Sequence, residues 1–288
     1  MREDFAVFIL SNGRADNLHT LKMLKKVNYT GKYYIVCDDQ DQTLSRYKEL
    51  YGDKVVVFDK AEIAKRVDTG TNDPDLRAVV FARNACFDIA EKLGLGYFLQ
   101  LDDDYRGINF RFMVKDGTLR AQPLKESFDK VCEAFVRFLE TTEVSTIAMA
   151  QTGDLIGGKD SSVWKKVLPR KAMNSFFCKT DRRFWFIGKS NEDVSTYVTL
   201  GNKGIIFFTY ARLFVDVVQT QSLSGGMSEF YESGGGYVKP FSSVVFSPQA
   251  IKVSTMGVTH RRFHHRINWN LCTPMILNQK WKKKRTEG

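Results

Sequence analysis

The amino-acid sequence predicts an α/β fold in which a mostly parallel central sheet is flanked by helices. Short continuous apolar runs, typical of strands buried on both faces, alternate with segments that have helical spacing of apolar residues. Polar clusters follow three of these runs directly. A 43% share of hydrophobic residues with 26% charged residues indicates a chain with a packed core. Strands that alternate with helices are the pattern of a parallel sheet.

Four apolar runs predict the strands of the first half of the chain, at residues 5–10, 33–37, 55–58 and 97–101. One helix is predicted to be capped by Asp16 and to run through Leu24. A second is predicted over residues 78–93, where Gly94 ends it.

The second half is less regular and indicates a mixed region. The pattern predicts a helix at 127–139, a strand at 146–150, and further strands at 205–209 and 241–246. Residues 222–236 are rich in glycine and serine, which favours a mobile loop near the site. Residues 280–285 form a basic, solvated cluster.

Composition limits the class of protein. The net charge is +10 with a pI near 9.3, which favours a polyanionic partner, although a basic protein that only binds a nucleotide has the same balance. Five cysteines without a CxxC pair indicate reduced thiols and a cytoplasmic location. The sequence shows neither a signal peptide nor a membrane-spanning run, so no membrane association is predicted.

Polar clusters at the predicted carboxyl ends of strands are expected to converge on one crevice, where such sheets bind ligands. They are Ser11, Asn12 and Gly13 after the first strand, Asp38 and Asp39 after the second, and Asp102, Asp103 and Asp104 after the fourth. Alternate residues of an extended chain point the same way, so Asp102 and Asp104 are predicted to share a divalent ion, Mg²⁺ or Mn²⁺. A solvated acidic turn is the alternative.

Two further features fit a bound nucleotide. Arg83, with Asn84, is placed at the start of the helix before the fourth strand, where an arginine reaches phosphate; an ordinary surface arginine is the alternative. Asp38 or Asp39 is predicted to accept a hydrogen bond from a ribose hydroxyl or a uracil N–H, with a turn or helix-cap function as the alternative.

The second half supplies candidates for catalysis. Asp193, and after it Glu192, is predicted as a general base, against the alternative of a helix-start signal. Of His260, His264 and His265, one is predicted to complete a metal shell. Alternatively, these histidines form a phosphate-binding surface with the neighbouring arginines 261, 262 and 266.

An acceptor is predicted to lie against two segments. The first is the loop at Gln151–Asp154 with Gly157 and Gly158, where backbone approaches a ligand closely, although generic loop chemistry explains it nearly as well. The second is the basic and aromatic stretch at 170–177, followed by a similar one at 181–186, which together place cations on phosphates and rings on bases; half of these rings are expected in the core. The candidate acceptor residues are Gln151, Asp154, Arg170, Lys171, Asn174 and His260.

These motifs resemble the GT-A glycosyltransferases in their order along the chain. The matching parts are SNGR at 11–14, ARN at 82–84, LQLDDD at 99–104, NED at 191–193 and a C-terminal histidine. More narrowly, the chain is similar to the phage glycosyltransferases associated with TET/JBP dioxygenases. ARNACFDIA, FLQLDDDY, AMAQTGDLIGG, RKAMNSFF, NEDVSTYV and FHHRINW carry this closer match and cover nearly the whole chain.

The resemblance implies roles for particular residues. Asp102 and Asp104 would carry the metal, Arg83 and Asp103 with the Ser11–Arg14 loop would bind the donor, and Asp193 would lie beside the reacting centre. His264 or His265 would lie near the metal. The donor implied is a nucleotide sugar, UDP-linked, and the acceptor is a 5-hydroxymethylpyrimidine in DNA. The location implied is the cytoplasm, that of the host for a phage-encoded protein.

The predicted organisation is one GT-A domain over residues 1–278 with a basic tail at 279–288. Residues 1–110 form the nucleotide-sugar half and 111–278 the acceptor half. Three alternatives stay open from the sequence: a protein or glycan acceptor, a non-enzymatic DNA-binding module, and a nucleotidyltransferase.

Overall fold

The structure is a computed structural model, and it describes residues 1–125, 128–155, 158–166, 171–218, 236–257 and 261–274. Among the residues singled out above, Arg170, His260 and Gly157 lie outside the described residues, as do most of the 222–236 segment and the basic tail.

The first half of the chain alternates strands and helices, as predicted. The strands are β1 (Phe5–Leu10), β2 (Lys32–Asp38), β3 (Val55–Phe58) and β4 (Tyr97–Asp102). The helices are α1 (His19–Lys26), α2 (Leu44–Tyr51), α3 (Lys60–Ala64) and α4 (Val79–Lys92). All four predicted strands are confirmed within a residue or so at each end, and α2 and α3 are additional.

The second half adds further strands to the same sheet. It contains β5 (Tyr105–Met113), β6 (Leu119–Pro123), α5 (Phe128–Thr141), β7 (Thr146–Gln151), α6 (Ser162–Lys165), β8 (Ser175–Lys179), α7 (Glu192–Gly201) and β9 (Phe207–Val217). After them come α8 (Gly236–Phe246), β10 (Ile251–Met256) and β11 (Arg262–Ile267). The predicted helix at 127–139 and strand at 146–150 are confirmed, and the strand expected at 205–209 begins at 207 and runs on to 217.

Nine strands form one sheet in the order β3-β2-β1-β4-β8-β7-β9-β5-β6. Strands β1 to β4 pair in parallel, and β7 pairs in parallel with β9. Because β8 and β5 are antiparallel to their neighbours, they are the strands that run against the others. The predicted class, an α/β fold with a mostly parallel central sheet flanked by helices, is confirmed.

The sheet is buried on both faces, which explains its uninterrupted apolar strands. Along β1, Phe5, Val7 and Ile9 pack on the face covered by α1 and α5. The alternate residues Phe8 and Leu10 pack on the opposite face, against side chains of α4 and α7. Every residue of β1 is buried, so each of its side chains adds to one of two cores.

Two local predictions are wrong. Asp16 does not cap α1, which begins after Leu18 without a side-chain cap; the Asp16 carboxylate accepts hydrogen bonds from Arg46 instead. Residues 241–246 are not a strand but the last part of α8, which carries Pro240 in its interior. The six residues FSSVVF are too few for their periodicity to separate a strand from a helix.

Candidate active site

The carboxyl ends of β1, β2 and β4 meet, as the sequence predicts. After β1, the Ser11 hydroxyl donates to Asp103 Oδ2 at 2.5 Å, which joins the first cluster to the acidic one. Asn12 Nδ2 donates to Asp38 Oδ2 at 3.0 Å, which joins it to the end of β2. The three polar clusters therefore form one connected network at one edge of the sheet.

The loop after β1 is fixed by residues that sequence reasoning missed. Gly13, with φ of 72°, donates its N–H to Asp41 Oδ2 at 2.9 Å. The Tyr47 hydroxyl lies 2.6 Å from Ser11 Oγ and accepts from the Arg14 N–H at 2.9 Å. Tyr47 is fully buried, so α2 acts as a support for this loop. Asp41 and Tyr47 lack a local sequence signal because both act across a turn or a helix.

The two aspartates after β2 have different surroundings. Asp38 is buried, and its second oxygen pairs with Lys60 at 2.9 Å. Asp39 is exposed, and its carboxylate accepts from the Lys60 N–H at 2.9 Å near the start of α3. Asp38 therefore lies within the network at the crevice, whereas the contact of Asp39 matches the turn or helix-cap alternative.

The three consecutive aspartates point to different partners. Asp103 is buried and forms an ion pair with Arg14 at 2.8 Å, which neutralises it. Asp102 keeps a quarter of its side chain exposed, and its Oδ2 has one long contact, 3.5 Å to the Tyr105 hydroxyl. Asp104 Oδ1 is buried and has no hydrogen-bond partner among the described residues. Asp102 and Asp104 thus retain oxygen atoms for a further ligand.

The electrostatics of Asp104 match this geometry. Burial raises the pKa of the Asp104 carboxyl to about 7, and the negative charges of Asp102 and Asp103 add to the effect. Burial likewise raises the pKa of Asp102, an effect that the Arg83 charge opposes. An excess of negative charge is concentrated here, which is the environment that a hard divalent cation neutralises.

Arg83 does not start its helix, in contrast to the sequence prediction. It is the fifth residue of α4, its side chain is 1% exposed, and it bridges two acids. Its Nη2 donates to Asp102 Oδ1 at 3.0 Å and its Nε donates to Glu192 Oε1 at 2.9 Å. Nη1 is buried and has no hydrogen-bond partner in the described part of the chain. Arg83 therefore ties the end of β4 to the start of α7.

The start of α7 carries the second acidic motif. Asn191 precedes the helix in the left-handed conformation, with φ of 53°, and Glu192 and Asp193 are its first residues. Burial raises the pKa of Asp193 to about 6, and the Glu192 charge raises it further, while Lys239 opposes both. The Val194 N–H donates to Asp193 Oδ1 at 2.7 Å and orients the carboxylate. A carboxyl that titrates near neutrality is suited to general base catalysis.

The C-terminal histidines lie against the same helix start. Asn191 Nδ2 lies 3.3 Å from His265 Nδ1, and the His264 and His265 rings stack with centroids 4.4 Å apart. Burial lowers the pKa of His265 to about 4, and the His264 charge acts in the same direction. His265 is therefore a neutral imidazole at pH 7. Within the described ranges, no three His, Cys, Asp or Glu side chains are grouped to hold a metal ion by themselves.

The predicted acceptor residues divide into two places. Asp154 accepts from the Gln151 N–H at 3.0 Å and pairs with Lys171, and both charged side chains of this pair are largely buried. Asn174, with φ of 52°, joins the Arg83 network: its carbonyl accepts from the Tyr105 hydroxyl at 2.6 Å, and its side-chain oxygen lies 3.4 Å from Arg83 Nη2. Asn174 is therefore beside the carboxylates.

The aromatic residues at 181–186 are mainly structural. Phe184 and Phe186 are buried in the core with Phe87 and Phe176, as expected for half of these rings. The ring of Trp185 lies under two guanidinium groups, at 4.3 Å from Arg183 and 5.5 Å from Arg66.

The crevice at the carboxyl ends of the parallel strands, lined by acids and by the loop after β1, is where sheets of this class bind their ligands. The chain belongs to the TET-Associated Glycosyltransferase family, whose sequence profile it matches over residues 5–226. It is therefore a glycosyltransferase that uses a nucleotide sugar.

None of the helices in the described ranges has the length and apolar character to cross a bilayer.

Solved structures with a similar chain path include glucosyl-3-phosphoglycerate synthase from Mycobacterium tuberculosis. Its complex with Mg²⁺ and UDP aligns with 8% identity over 92% of this chain and 88% of that one, with a TM-score of 0.47. Its complex with Mn²⁺ and UDP-glucose aligns with 10% identity over 92% of this chain and 87% of that one, with a TM-score of 0.44. A CMP-2-keto-3-deoxy-manno-octonic acid synthetase in complex with CTP aligns with 9% identity over 80% of this chain and 98% of that one, with a TM-score of 0.38. The comparison with curated proteins gives no match.

Proposed function

We propose that this protein transfers a sugar from a UDP-linked donor to the hydroxyl of 5-hydroxymethylcytosine or 5-hydroxymethyluracil in DNA, with a divalent metal ion. The observation that carries the proposal is the Asp102–Arg83–Glu192 bridge. It joins the end of β4, where Asp102 and Asp104 retain oxygen atoms for a further ligand, to the start of α7. Asp193, whose pKa is raised, lies at that helix start. Membership of the TET-associated family agrees with a modified pyrimidine as acceptor.

Donor binding is assigned to the Ser11–Arg14 loop and its neighbours. Asp38 is held between Asn12 and Lys60, where its carboxylate would accept from a ribose hydroxyl or uracil N–H at the rim. Arg83 Nη1 would complete its hydrogen bonding with a diphosphate oxygen, because it has no other partner in the described part of the chain.

Asp102 and Asp104 would hold Mn²⁺ or Mg²⁺. The fit is chemical: both are oxygen ligands, Asp104 Oδ1 is buried without a hydrogen bond from the described residues, and the excess negative charge calls for a cation. Two protein carboxylates leave positions for diphosphate oxygens. When bound, the ion would neutralise charge on the departing nucleoside diphosphate. His264 and His265 stay candidates for a further ligand.

Asp193 would act as the general base. Its carboxylate would take the proton of the acceptor hydroxymethyl group, the resulting oxygen would bond to the anomeric carbon, and the bond from that carbon to the diphosphate oxygen would break. The pyrimidine must leave the base stack for this geometry, unless it is met in a single strand. Lys171 and Asn174 would lie on the acceptor side.

Mass spectrometry of nucleosides tests this function. DNA that contains 5-hydroxymethylcytosine or 5-hydroxymethyluracil is incubated with the protein, Mn²⁺ or Mg²⁺, and a panel of nucleotide sugars. We expect a hexose- or pentose-sized mass gain on one base, abolished by EDTA and strongly reduced by Asp193→Asn. Asp53→Asn is the matched control, since this carboxylate is exposed and lies outside the site.

Two results would contradict the proposal. Donor hydrolysis without a mass gain on either base would indicate another acceptor, such as a protein or glycan. Full activity in the presence of EDTA would show that the reaction does not require a divalent metal ion.

A further inference from the structure

The net positive charge of this chain is concentrated in one segment. Between Glu232 and Glu287 the sequence has no acidic residue and ten lysines and arginines. The chain as a whole has 43 basic and 33 acidic residues, so the remaining sequence is electrically balanced. The entire net charge of +10 therefore belongs to residues 233–286. Within the described part of this segment, the β10–β11 hairpin holds most of the charges.

The hairpin and the turn that follows it contact α7, the helix that carries Asp193, at two points. His265 on β11 contacts Asn191 at the start of α7. Four residues into the helix from Asp193, the Tyr197 ring stacks on Trp269, with centroids 5.7 Å apart and an interplanar angle of 15°. Asp193 and Tyr197 are neighbours on one face of α7, about one turn apart. The hairpin region is thus packed against the helix that carries the candidate base.

A groove of about 680 Å³ lies along the hairpin. Its lining includes Lys252, Arg266 and the amide side chains of Gln249, Asn268 and Asn270, together with Trp269. None of the described residues that line it is acidic. Cations and amides in this combination are the usual partners of phosphate and sugar oxygens in nucleic acids.

The charges in the groove have no counter-charge among the residues that the structure describes. Lys252 and Arg266 are directly opposite each other in the antiparallel pair, and both are exposed. Like charges in this arrangement repel each other. Neither has an ion-pair partner among the described residues. A bound anion would remove the repulsion.

A second groove is less suited to a polyanion. It is lined by Lys26, Arg106 and Lys125, but Asp216 also lines it. It lies beside α1, on the sheet face opposite to α7.

We propose that the β10–β11 groove binds the sugar-phosphate backbone of the acceptor DNA next to the target base. This inference rests on the proposed DNA acceptor and specifies where the strand is held. Lys252 and Arg266 would each contact a phosphate, and the amides would contact flanking backbone oxygens. The nucleotide beside these phosphates would then extend past the hairpin toward Asp193.

The test uses the double variant Lys252→Gln with Arg266→Gln in the full chain. The control is Lys130→Gln with Arg137→Gln, which removes equal charge from exposed positions of α5 on the opposite face. Fluorescence anisotropy measures binding to a 20-base-pair duplex, with and without one 5-hydroxymethylcytosine, at several KCl concentrations. Thermal unfolding checks the fold.

We expect the groove variant to bind both duplexes about tenfold more weakly, and its plot of log affinity against log salt to be shallower by about 2. Its unfolding temperature should be unchanged or higher, because the cross-strand repulsion is gone. The α5 control should bind like the wild type. Sugar transfer to DNA by the groove variant should show a raised KM.

Three results would overturn the inference. If the groove variant keeps wild-type affinity and still transfers sugar to DNA, the DNA contacts another part of the chain, for example residues 280–285. Equal weakening in both variants would indicate diffuse attraction without a specific surface. A wild-type protein that neither binds nor glycosylates DNA would remove the DNA acceptor, and the surface with it.

Discussion

Arg83 and Asp102 are joined by a hydrogen bond of 3.0 Å between Nη2 and Oδ1, although the arginine side chain is 1% exposed. The same guanidinium donates through Nε to Glu192, so one buried cation neutralises acids from two elements. Ion pairs buried in this way are expensive to form and much more expensive to break from one side. Arg83 thus sets the distance between the carboxylates after β4 and the start of α7.

Replacement of Arg83 by methionine should therefore damage stability and activity together. The buried Glu192 and the half-buried Asp102 would lose their partner, and we expect a loss of about 3–5 kcal/mol in the free energy of unfolding. Arg83→Lys should lose less stability but most activity, because an ammonium group has no planar fork to bridge two acids. Urea unfolding and the rate of sugar transfer measure the two effects.

Arg66→Met is the control for this comparison. Arg66 forms an ion pair of 2.7 Å with Asp88 at the surface, where its side chain is 39% exposed. Such pairs contribute about 0–1 kcal/mol. Equal losses in the two variants would contradict the bridging function of Arg83.

Asp193→Asn separates catalysis from stability. The transfer rate should fall by about 10²–10⁴-fold, because the general base is removed. The fold should become more stable at neutral pH. The pKa of Asp193 is raised from 3.8 to about 6 by burial, so its ionised form is disfavoured in the folded chain and the penalty, up to about 3 kcal/mol, is complete above pH 6. Below pH 4 Asp193 is protonated in both the folded and the unfolded chain, so the difference in stability between the variant and the wild type disappears.

Asp193 should also contribute to the pH dependence of the wild type. As pH falls through 6, Asp193 is protonated and the transfer rate should drop about tenfold per unit. Burial is the first cause, the Glu192 charge acts in the same direction, and Lys239 and Arg83 oppose it. Steady-state rates between pH 5 and 8 provide the measurement. A rate that stays constant down to pH 5 would exclude Asp193 as the base.

The first half of the fold could be predicted from the sequence because its strands are buried on both faces. A run of six apolar residues such as FAVFIL in β1 is typical of a strand that is covered on both faces of a sheet. The β5 strand was missed because exposed and buried residues are mixed along it, and Arg106 and Arg111 interrupt its apolar pattern. The α8 helix was misread because FSSVVF, with two serines among apolar residues, is too short to separate the period of a helix from that of a strand.

The candidate site could be predicted only where its residues follow a strand. Asp102 to Asp104 were placed at the crevice because they end β4. The Arg83–Glu192 contact joins residues 109 positions apart, and the sequence contains no local sign of it. Tyr105 was missed for a similar reason: its hydroxyl reaches the Asn174 carbonyl at 2.6 Å across the sheet.

Asp104→Asn tests the metal site independently of turnover. Asp104 Oδ1 is buried without a hydrogen bond from any described residue, so an amide oxygen there carries no uncompensated charge. We expect the metal-free variant to be at least as stable as the wild type. Stabilisation by Mn²⁺ with UDP, measured as a shift in unfolding temperature, should be lost. Asp59→Asn, at an exposed helix cap, should keep that shift. An unchanged Mn²⁺ shift in Asp104→Asn would exclude Asp104 as a ligand.

Asp41→Ala tests whether the loop after β1 is held in place for the donor. Asp41 is 7% exposed and accepts from the Gly13 N–H at 2.9 Å and from the N–H and hydroxyl of Thr43, both at 2.7 Å. Without these bonds the loop is no longer fixed at Gly13, so KM for the nucleotide sugar should rise while kcat changes little. Loss of these hydrogen bonds should cost about 0.5–1.5 kcal/mol of stability, because Gly13 is exposed and Thr43 is half-buried.

Asp116→Ala provides the comparison for this variant. Asp116 makes the same kind of turn contact, 2.8 Å to the Thr118 N–H, but at an exposed position between β5 and β6. Its loss should leave KM for the donor unchanged. If both variants raise KM equally, or if Asp41→Ala lowers only kcat, the loop is not positioned by Asp41. A selective rise in KM for Asp41→Ala would assign the Gly13–Asp41 contact to donor binding, because stability alone does not separate the two turns.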